Sequence, residues 1–311
     1  MKCLILGGAG FIGSHLAEGL VKRHHQVRVF DRTNADTANL VKVLPNIEFV
    51  RGDFLNENDI SFALSNIDVV IHLIGTTLPK TSNENPTYDV GTNVVGSLNL
   101  LNLARQHSVK KVVFASSGGT VYGSPSTFPI PETHPTHPVC SYGITKLTIE
   151  KYLHLFNHLY DLDYVVLRIA NPFGERQNPR GNQGVVSVFL WKLLQGDTIT
   201  IWGDGTVARD YIYINDLVSA FLTTIETETP SRLYNIGSGV PLTLNELLRV
   251  MQTVTGRVPI VEYLPSRKLD LSINYLDISR ARNELRWHPR ISLEKGISRT
   301  WKWLTAISQE G

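Results

Sequence analysis

Apolar residues come in short runs along this chain, and the runs alternate with stretches of helical period. Runs at 2–6, 27–30, 47–50, 68–72, 111–115 and 164–169 predict six strands. Between them, Leu16, Leu20 and Val21, and later Leu98, Leu101 and Leu103, follow a helical pattern. Strand and helix in alternation predict an α/β fold, a doubly wound parallel sheet. From Asn171 the pattern loosens. Residues 175–184 are polar and rich in turn formers, and helices are predicted over 185–194, near 215–224, and over 244–255, 279–285 and 293–304. Strands are predicted at 199–202 and 234–236. The second part therefore reads as a smaller, irregular α/β domain. The expected division is 1–170 and 171–311, with some later segments returning to the first domain.

Composition changes this picture little. The 311 residues give ample core, and the formal net charge of +2 gives no support for a nucleic-acid partner. Cys3 and Cys140 cannot build a disulfide framework and have no metal-ligand spacing, so no metal is expected. No apolar run approaches the roughly 18 residues a membrane span needs. The chain enters a strand at once, with no signal-peptide layout. A cytoplasmic globular protein is expected.

Candidate chemistry sharpens the reading. The first strand ends in Gly7-Gly8-Ala9-Gly10-Phe11-Ile12-Gly13, and a helix follows. Glycines at 7, 10 and 13 permit a tight turn, close approach to a pyrophosphate and close helix packing, so the sheet is Rossmann-like. Asp31 ends the second strand, where a carboxylate can accept from ribose hydroxyls and disfavours a 2′-phosphate; NAD is expected over NADP, although Arg32 could tolerate a phosphate. Asp53, just past the third strand, suits either an adenine contact or a helix cap. A hydroxyl cluster, Ser116, Ser117 and Thr120, ends the fifth strand, where ligands of open α/β sheets bind. Tyr142 and Lys146 stand one helical turn apart on one face. A nearby ammonium favours the phenolate, which makes Tyr142 a candidate acid/base and Lys146 its electrostatic partner. Arg209 and Arg267 together could grip a diphosphate.

With these motifs in order, the chain resembles the extended short-chain dehydrogenase/reductases, and among them the NAD-dependent sugar-nucleotide epimerases and dehydratases. The likeness runs through Gly7-x-x-Gly10-x-x-Gly13, Asp31, Gly52-Asp53, Asn93, Val121-Tyr122-Gly123, Tyr142-x-x-x-Lys146, Asn171-Pro172, Gly203-Asp204-Gly205, Arg209-Asp210-Tyr211 and Arg267-x-x-Asp270. It is greatest toward the UDP-hexose 4-epimerases. The resemblance implies an isomerase of nucleotide-sugar metabolism, polysaccharide biosynthesis among its settings. The substrate would be UDP-glucose/UDP-galactose and also UDP-GlcNAc/UDP-GalNAc, with turnover through a 4-keto sugar. It implies a nucleotide domain at 1–170 and a UDP-sugar domain at 171–311. It implies NAD held by the glycine turn with Phe11 and Ile12, by Asp31, Arg32, Asp53 and Phe54, and by Leu73, Gly75, Asn93, Ser116, Tyr142, Lys146 and Ala170. Asn171, Trp202, Arg209, Arg267 and Asp270 would hold the UDP part.

Two departures stand out. The family's catalytic Ser or Thr position is Gly118 here, which leaves Ser117 or Thr120 to supply the hydrogen bond to the sugar 4-oxygen, with Thr120 preferred. The position that limits room for an N-acetyl group falls on Asn274, which is small, whereas a shift of one would place Tyr275 there. The Asp-Glu pair of 4,6-dehydratases is replaced by Gly119-Thr120. A 4,6-dehydratase, a decarboxylase or a keto-sugar reductase of the same family and, from another class, a non-catalytic dinucleotide sensor are the rivals. The resemblance also implies a homodimer, to which Leu147, Tyr152, Leu153 and Leu155 belong if they are not core.

Overall fold

The computed structural model describes residues 1–181, 183–266 and 271–309. In chain order its elements begin β1 (Lys2–Leu6), α1 (Phe11–Lys22), β2 (Gln26–Asp31), β3 (Glu48–Arg51), α2 (Glu57–Leu64) and β4 (Val69–His72). Next come α3 (Pro79–Ser82), α4 (Pro86–Asp89), α5 (Gly96–Gln106), β5 (Lys111–Ser117), α6 (Ser141–Tyr160) and β6 (Asp163–Ile169). The second half adds β7 (Asn171–Phe173), α7 (Val185–Gln195), β8 (Ile199–Trp202), β9 (Ala208–Tyr213), α8 (Ile214–Glu226) and β10 (Leu233–Ile236). The remainder is β11 (Pro241–Thr243), α9 (Leu244–Thr255), β12 (Val261–Leu264), β13 (Ile273–Asn274), α10 (Ser279–Glu284) and α11 (Leu293–Gln309).

The main sheet has seven strands in the order β10-β6-β5-β4-β1-β2-β3, all parallel. The strands read as apolar runs because helices cover both faces, and β4 is buried throughout. The strand order turns back between β1 and β4, which is where an open α/β sheet forms its ligand crevice. The seventh strand, β10, comes from the second half and pairs with β6 in register Leu233↔Val166. Helix α8 returns with it and lies on α1: an added Cβ at Gly19 would fall 2.9 Å from Val218. The rest of the second half forms a small sheet, β11-β9-β13 with β7 beside β9, and a β8/β12 pair. Among the described residues no helix is long and apolar enough to cross a membrane.

Before α5 the chain does not run as plain α-helix. Residues 90–95 form a π turn, in which Thr92 donates back to the Tyr88 carbonyl at 2.8 Å and Asn93 to the Asp89 carbonyl at 3.1 Å. Such turns recur at functional sites.

Candidate functional site

The glycine turn is built as its chemistry requires. Gly7 adopts φ +81°, and a Cβ on Gly13 would lie 2.5 Å from the Gly7 carbonyl and the Gly8 Cα. Helix α1 therefore packs directly on the turn. Gly10 caps that helix without a side chain, and its first turn holds no acidic residue. The helix end thus offers N–H groups and a positive dipole to an anion. The Asp31 carboxylate braces the turn, accepting from Ala9 N and Arg32 N, each at 2.9 Å. Lone pairs remain on both oxygens for ribose hydroxyls. These residues fit the diphosphate and ribose of a dinucleotide.

Asp53 accepts from Leu55 N at 2.9 Å, while Asn56 caps α2. The capping alternative for Asp53 thus falls to Asn56. Phe54 is buried against the His72 ring at 5.4 Å and supports Gly96, where an added Cβ would lie 2.7 Å away. The Asn93 amide is engaged with Thr76, Asp89 and Thr92. Exposed Gly75 sits at the lysine: its added Cβ would be 4.0 Å from Lys146 Nζ.

A cleft of about 910 Å³ opens at the carboxyl ends of the strands. That volume suits a substantial ligand. Phe11, Ile12, Leu73, Ser116, Ala170 and Lys146 are among the residues that line it. Ser117, Thr120, Tyr142, Asn171, Trp202 and Arg209 line it as well. Arg267 and Asp270 lie outside the described residues. Asn171 donates to the Asp210 carbonyl at 2.9 Å, and Arg209 to the carbonyls of Ala208 and Leu271 at 2.8 Å. Gln177, which the sequence reading missed, also lines the cleft; it donates to Pro172 O and accepts from Ser187. Only its place in a polar turn marked it.

Helix α6 carries the candidate pair inward. Lys146 is buried; its Nζ donates to the Ala115 carbonyl at 2.9 Å and stands 5.6 Å from the Tyr142 ring centroid. Burial lowers its pKa to about 8, against the carboxylates of Asp89 and Glu150. Burial likewise pushes Tyr142 up to about 12, with Cys140 and Asp89 acting in the same direction. In the protein alone, desolvation therefore outweighs any help Lys146 gives the phenolate. A cationic ring beside the phenol would act in the opposite sense.

Position 118 is closed. A Cβ there would lie 2.6 Å from Leu276 Cδ1, 3.0 Å from its Cδ2 and 3.3 Å from the Ile169 carbonyl. Thr120 is differently placed. Its carbonyl lies against α6, 2.8 Å from where a Gly143 Cβ would be, and its buried hydroxyl has no hydrogen-bond partner among the described residues. The Ser116 hydroxyl is committed to Glu150 at 2.5 Å. Glu150 in turn holds Arg168 in a buried ion pair at 2.6 Å. Asn274 is buried with its amide 3.5 Å from the Gly118 carbonyl, while Tyr275 turns the other way and stacks on Phe128. Of the four apolar positions on α6, Leu153 is core, Leu147 and Tyr152 are half-buried against it, and Leu155 is exposed.

A family model described as the NAD dependent epimerase/dehydratase family matches residues 3–237. A putative UDP-glucose 4-epimerase of Methanocaldococcus jannaschii is 38% identical over 302 residues, 97% of each chain. The crystal structure of a UDP-glucose 4-epimerase from Thermotoga maritima with UDP-glucose superposes with a TM-score of 0.92 at 37% identity, covering 99% of this chain and 100% of that one. A UDP-N-acetylglucosamine 4-epimerase from Methanobrevibacter ruminantium, in complex with UDP-N-acetylmuramic acid, gives 0.92 at 30% identity over 99% and 98% of the two chains.

Proposed function

Since the chain belongs to the NAD dependent epimerase/dehydratase family, we propose that it inverts C4 of UDP-hexoses, with UDP-glucose/UDP-galactose and the N-acetylated pair as substrates. The observation that carries this is that Tyr142, Lys146 and Thr120 line one cleft together with Trp202 and Arg209. When bound, NAD supplies reversible hydride acceptance at the sugar C4. The glycine turn and the N-terminus of α1 hold its diphosphate, and Asp31 its ribose. Tyr142 takes the proton of the 4-hydroxyl and later returns it, while Lys146 keeps positive charge beside the phenolate. Thr120, which lines the cleft, donates to the 4-oxygen in place of the family's residue at 118. Asn171, Trp202 and Arg209 bind the UDP part, together with Arg267 and Asp270. Ser117 is the alternative donor.

For the N-acetylated pair the proposal rests on the small size of Asn274, which is buried beside the Gly118 carbonyl, while Tyr275 stacks on Phe128. The working division is a nucleotide domain over 1–170, completed by α8 and β10, and a UDP-sugar domain from the rest of 171–311. A homodimer is supported by exposed Val90, Val95, Ile144, Leu155 and Leu159 on and beside α6. The setting proposed is cytoplasmic. The test is incubation with UDP-glucose and with UDP-N-acetylglucosamine, without added cofactor, followed by proton NMR. A C4 epimer reaching a plateau is expected for both. No change in either, even with NAD supplied, refutes the reading. A 6-deoxy-4-keto product would replace it with a dehydratase.

A further inference from the structure

Beneath the Tyr142–Lys146 face lies a carboxylate with no exposed surface. Asp89 accepts from Thr77 Oγ1 at 2.5 Å, Ser141 Oγ and Thr145 Oγ1 at 2.7 Å each, and Asn93 Nδ2 at 2.9 Å. Ser141 and Thr145 are the residues immediately before Tyr142 and Lys146. The same segment caps the catalytic helix from outside. Ser141 N donates to Asn83 Oδ1 at 2.9 Å and Tyr142 N to Ser82 Oγ at 3.0 Å, while the helix's own N-cap, Cys140, makes no side-chain bond. Packing alone needs no charge here, and a buried carboxylate is costly unless donors surround it. This one is fully surrounded, and it stands beside the acid/base pair.

We propose that Asp89 is a positioning residue for the reaction: it fixes Tyr142 and Lys146 through Ser141 and Thr145 and places a permanent negative charge beside them. Burial pushes the Asp89 carboxyl up, but its donors outweigh that and leave it below the ordinary value, so it is charged at neutral pH. The other titratable groups facing the pair are Cys140, His72 at the end of β4, and the Glu150–Arg168 ion pair; Lys80 and Glu84 of the neighbouring segment are exposed. Of these, the carboxylates of Asp89 and Glu150 oppose deprotonation of Lys146, and Asp89 also opposes ionisation of Tyr142.

The proposal rests on the epimerase reading, which wild-type turnover tests by itself. For this proposal, kcat and KM of the full NAD-loaded chain with UDP-glucose are measured against pH for the wild type, Asp89→Asn and Thr145→Val. Asp89→Asn should lower kcat about tenfold to a hundredfold with KM little changed. It should also move the acid limb of the kcat profile to lower pH by about half a unit or more, because a charge opposing the phenolate is gone. Thr145→Val keeps the charge; kcat should fall while the limb stays. Ultraviolet titration of the Tyr142 phenolate, taken as the difference from Tyr142→Phe, should show a lower midpoint in Asp89→Asn, and this readout needs no turnover. An unmoved limb and midpoint, or full kcat in Asp89→Asn, overturns the proposal. Should Asp89→Asn fail to fold, full kcat in both Thr145→Val and Ser141→Ala overturns it.

Discussion

Restoring the family's hydroxyl at position 118 should harm this protein rather than help it. The backbone there does not exclude a side chain, since Gly118 is not among the residues with positive φ. The obstacle is packing. A serine Cβ would lie 2.6 Å from Leu276 Cδ1, about 1 Å inside ordinary carbon contact. Leu276 is fully buried and its backbone is pinned: its N–H donates to Asp210, and the residues on either side bond to Ile130. The leucine can yield only by leaving its rotamer. Overpacking of this kind costs about 1–3 kcal/mol. Leu276→Ala alone should cost about 2–5 kcal/mol through the cavity it leaves. Combined, the two changes relieve each other, so the double variant should fall short of the sum by about 1–2 kcal/mol. Urea unfolding of the four proteins measures the cycle, and the same samples give epimerase rates. Gly118→Ser should be less stable and no faster than the wild type. A serine variant of wild-type stability, or an additive cycle, would refute the claim that Leu276 closes the site.

Tyr142→Phe should lower kcat by about 10²–10⁴-fold while UDP-sugar binding, measured by calorimetry, stays near the wild type; a smaller loss would remove the tyrosine from the proton path. Glu150→Gln leaves Arg168 buried without its charge partner, so unfolding free energy should drop by about 3–5 kcal/mol, and a change under 1 kcal/mol would be inconsistent with the buried pair at 2.6 Å. Burial holds His72 down, from 6.5 to about 3. A base depressed in the fold costs no stability above its unfolded value and progressively more as pH falls from 6.5 toward about 3, up to about 1.4 kcal/mol per unit. His72→Gln should therefore lose less stability than the wild type across that window, and parallel curves would show that His72 is not the group responsible. Asp31→Ala removes both the ribose acceptor and the brace on Ala9 N, so co-purified NAD should fall sharply; unchanged NAD content would count against Asp31 as the ribose ligand.

Local pattern determined much of this protein. Apolar runs of strand length, separated by helical spacing, specified the parallel sheet because strand and helix periods are set by neighbours in sequence. The glycine turn, Asp31 and the Tyr142–Lys146 spacing were likewise local. The sequence could not determine which distant residues meet. Residues 234–236 read as a strand, but only the folded chain assigned them to the edge of the main sheet beside β6. Gly118 read as a missing hydroxyl; Leu276, far along the chain, turned out to fill its space. Asp89 gave no signal in a polar stretch, because its surroundings depend on donors from a loop, a π turn and α6 converging on one point. A carboxylate is exposed or buried, and a glycine replaceable or not, according to contacts that no window of sequence contains. Those contacts are decided when the sheet brings its strand ends and their loops to a common crevice.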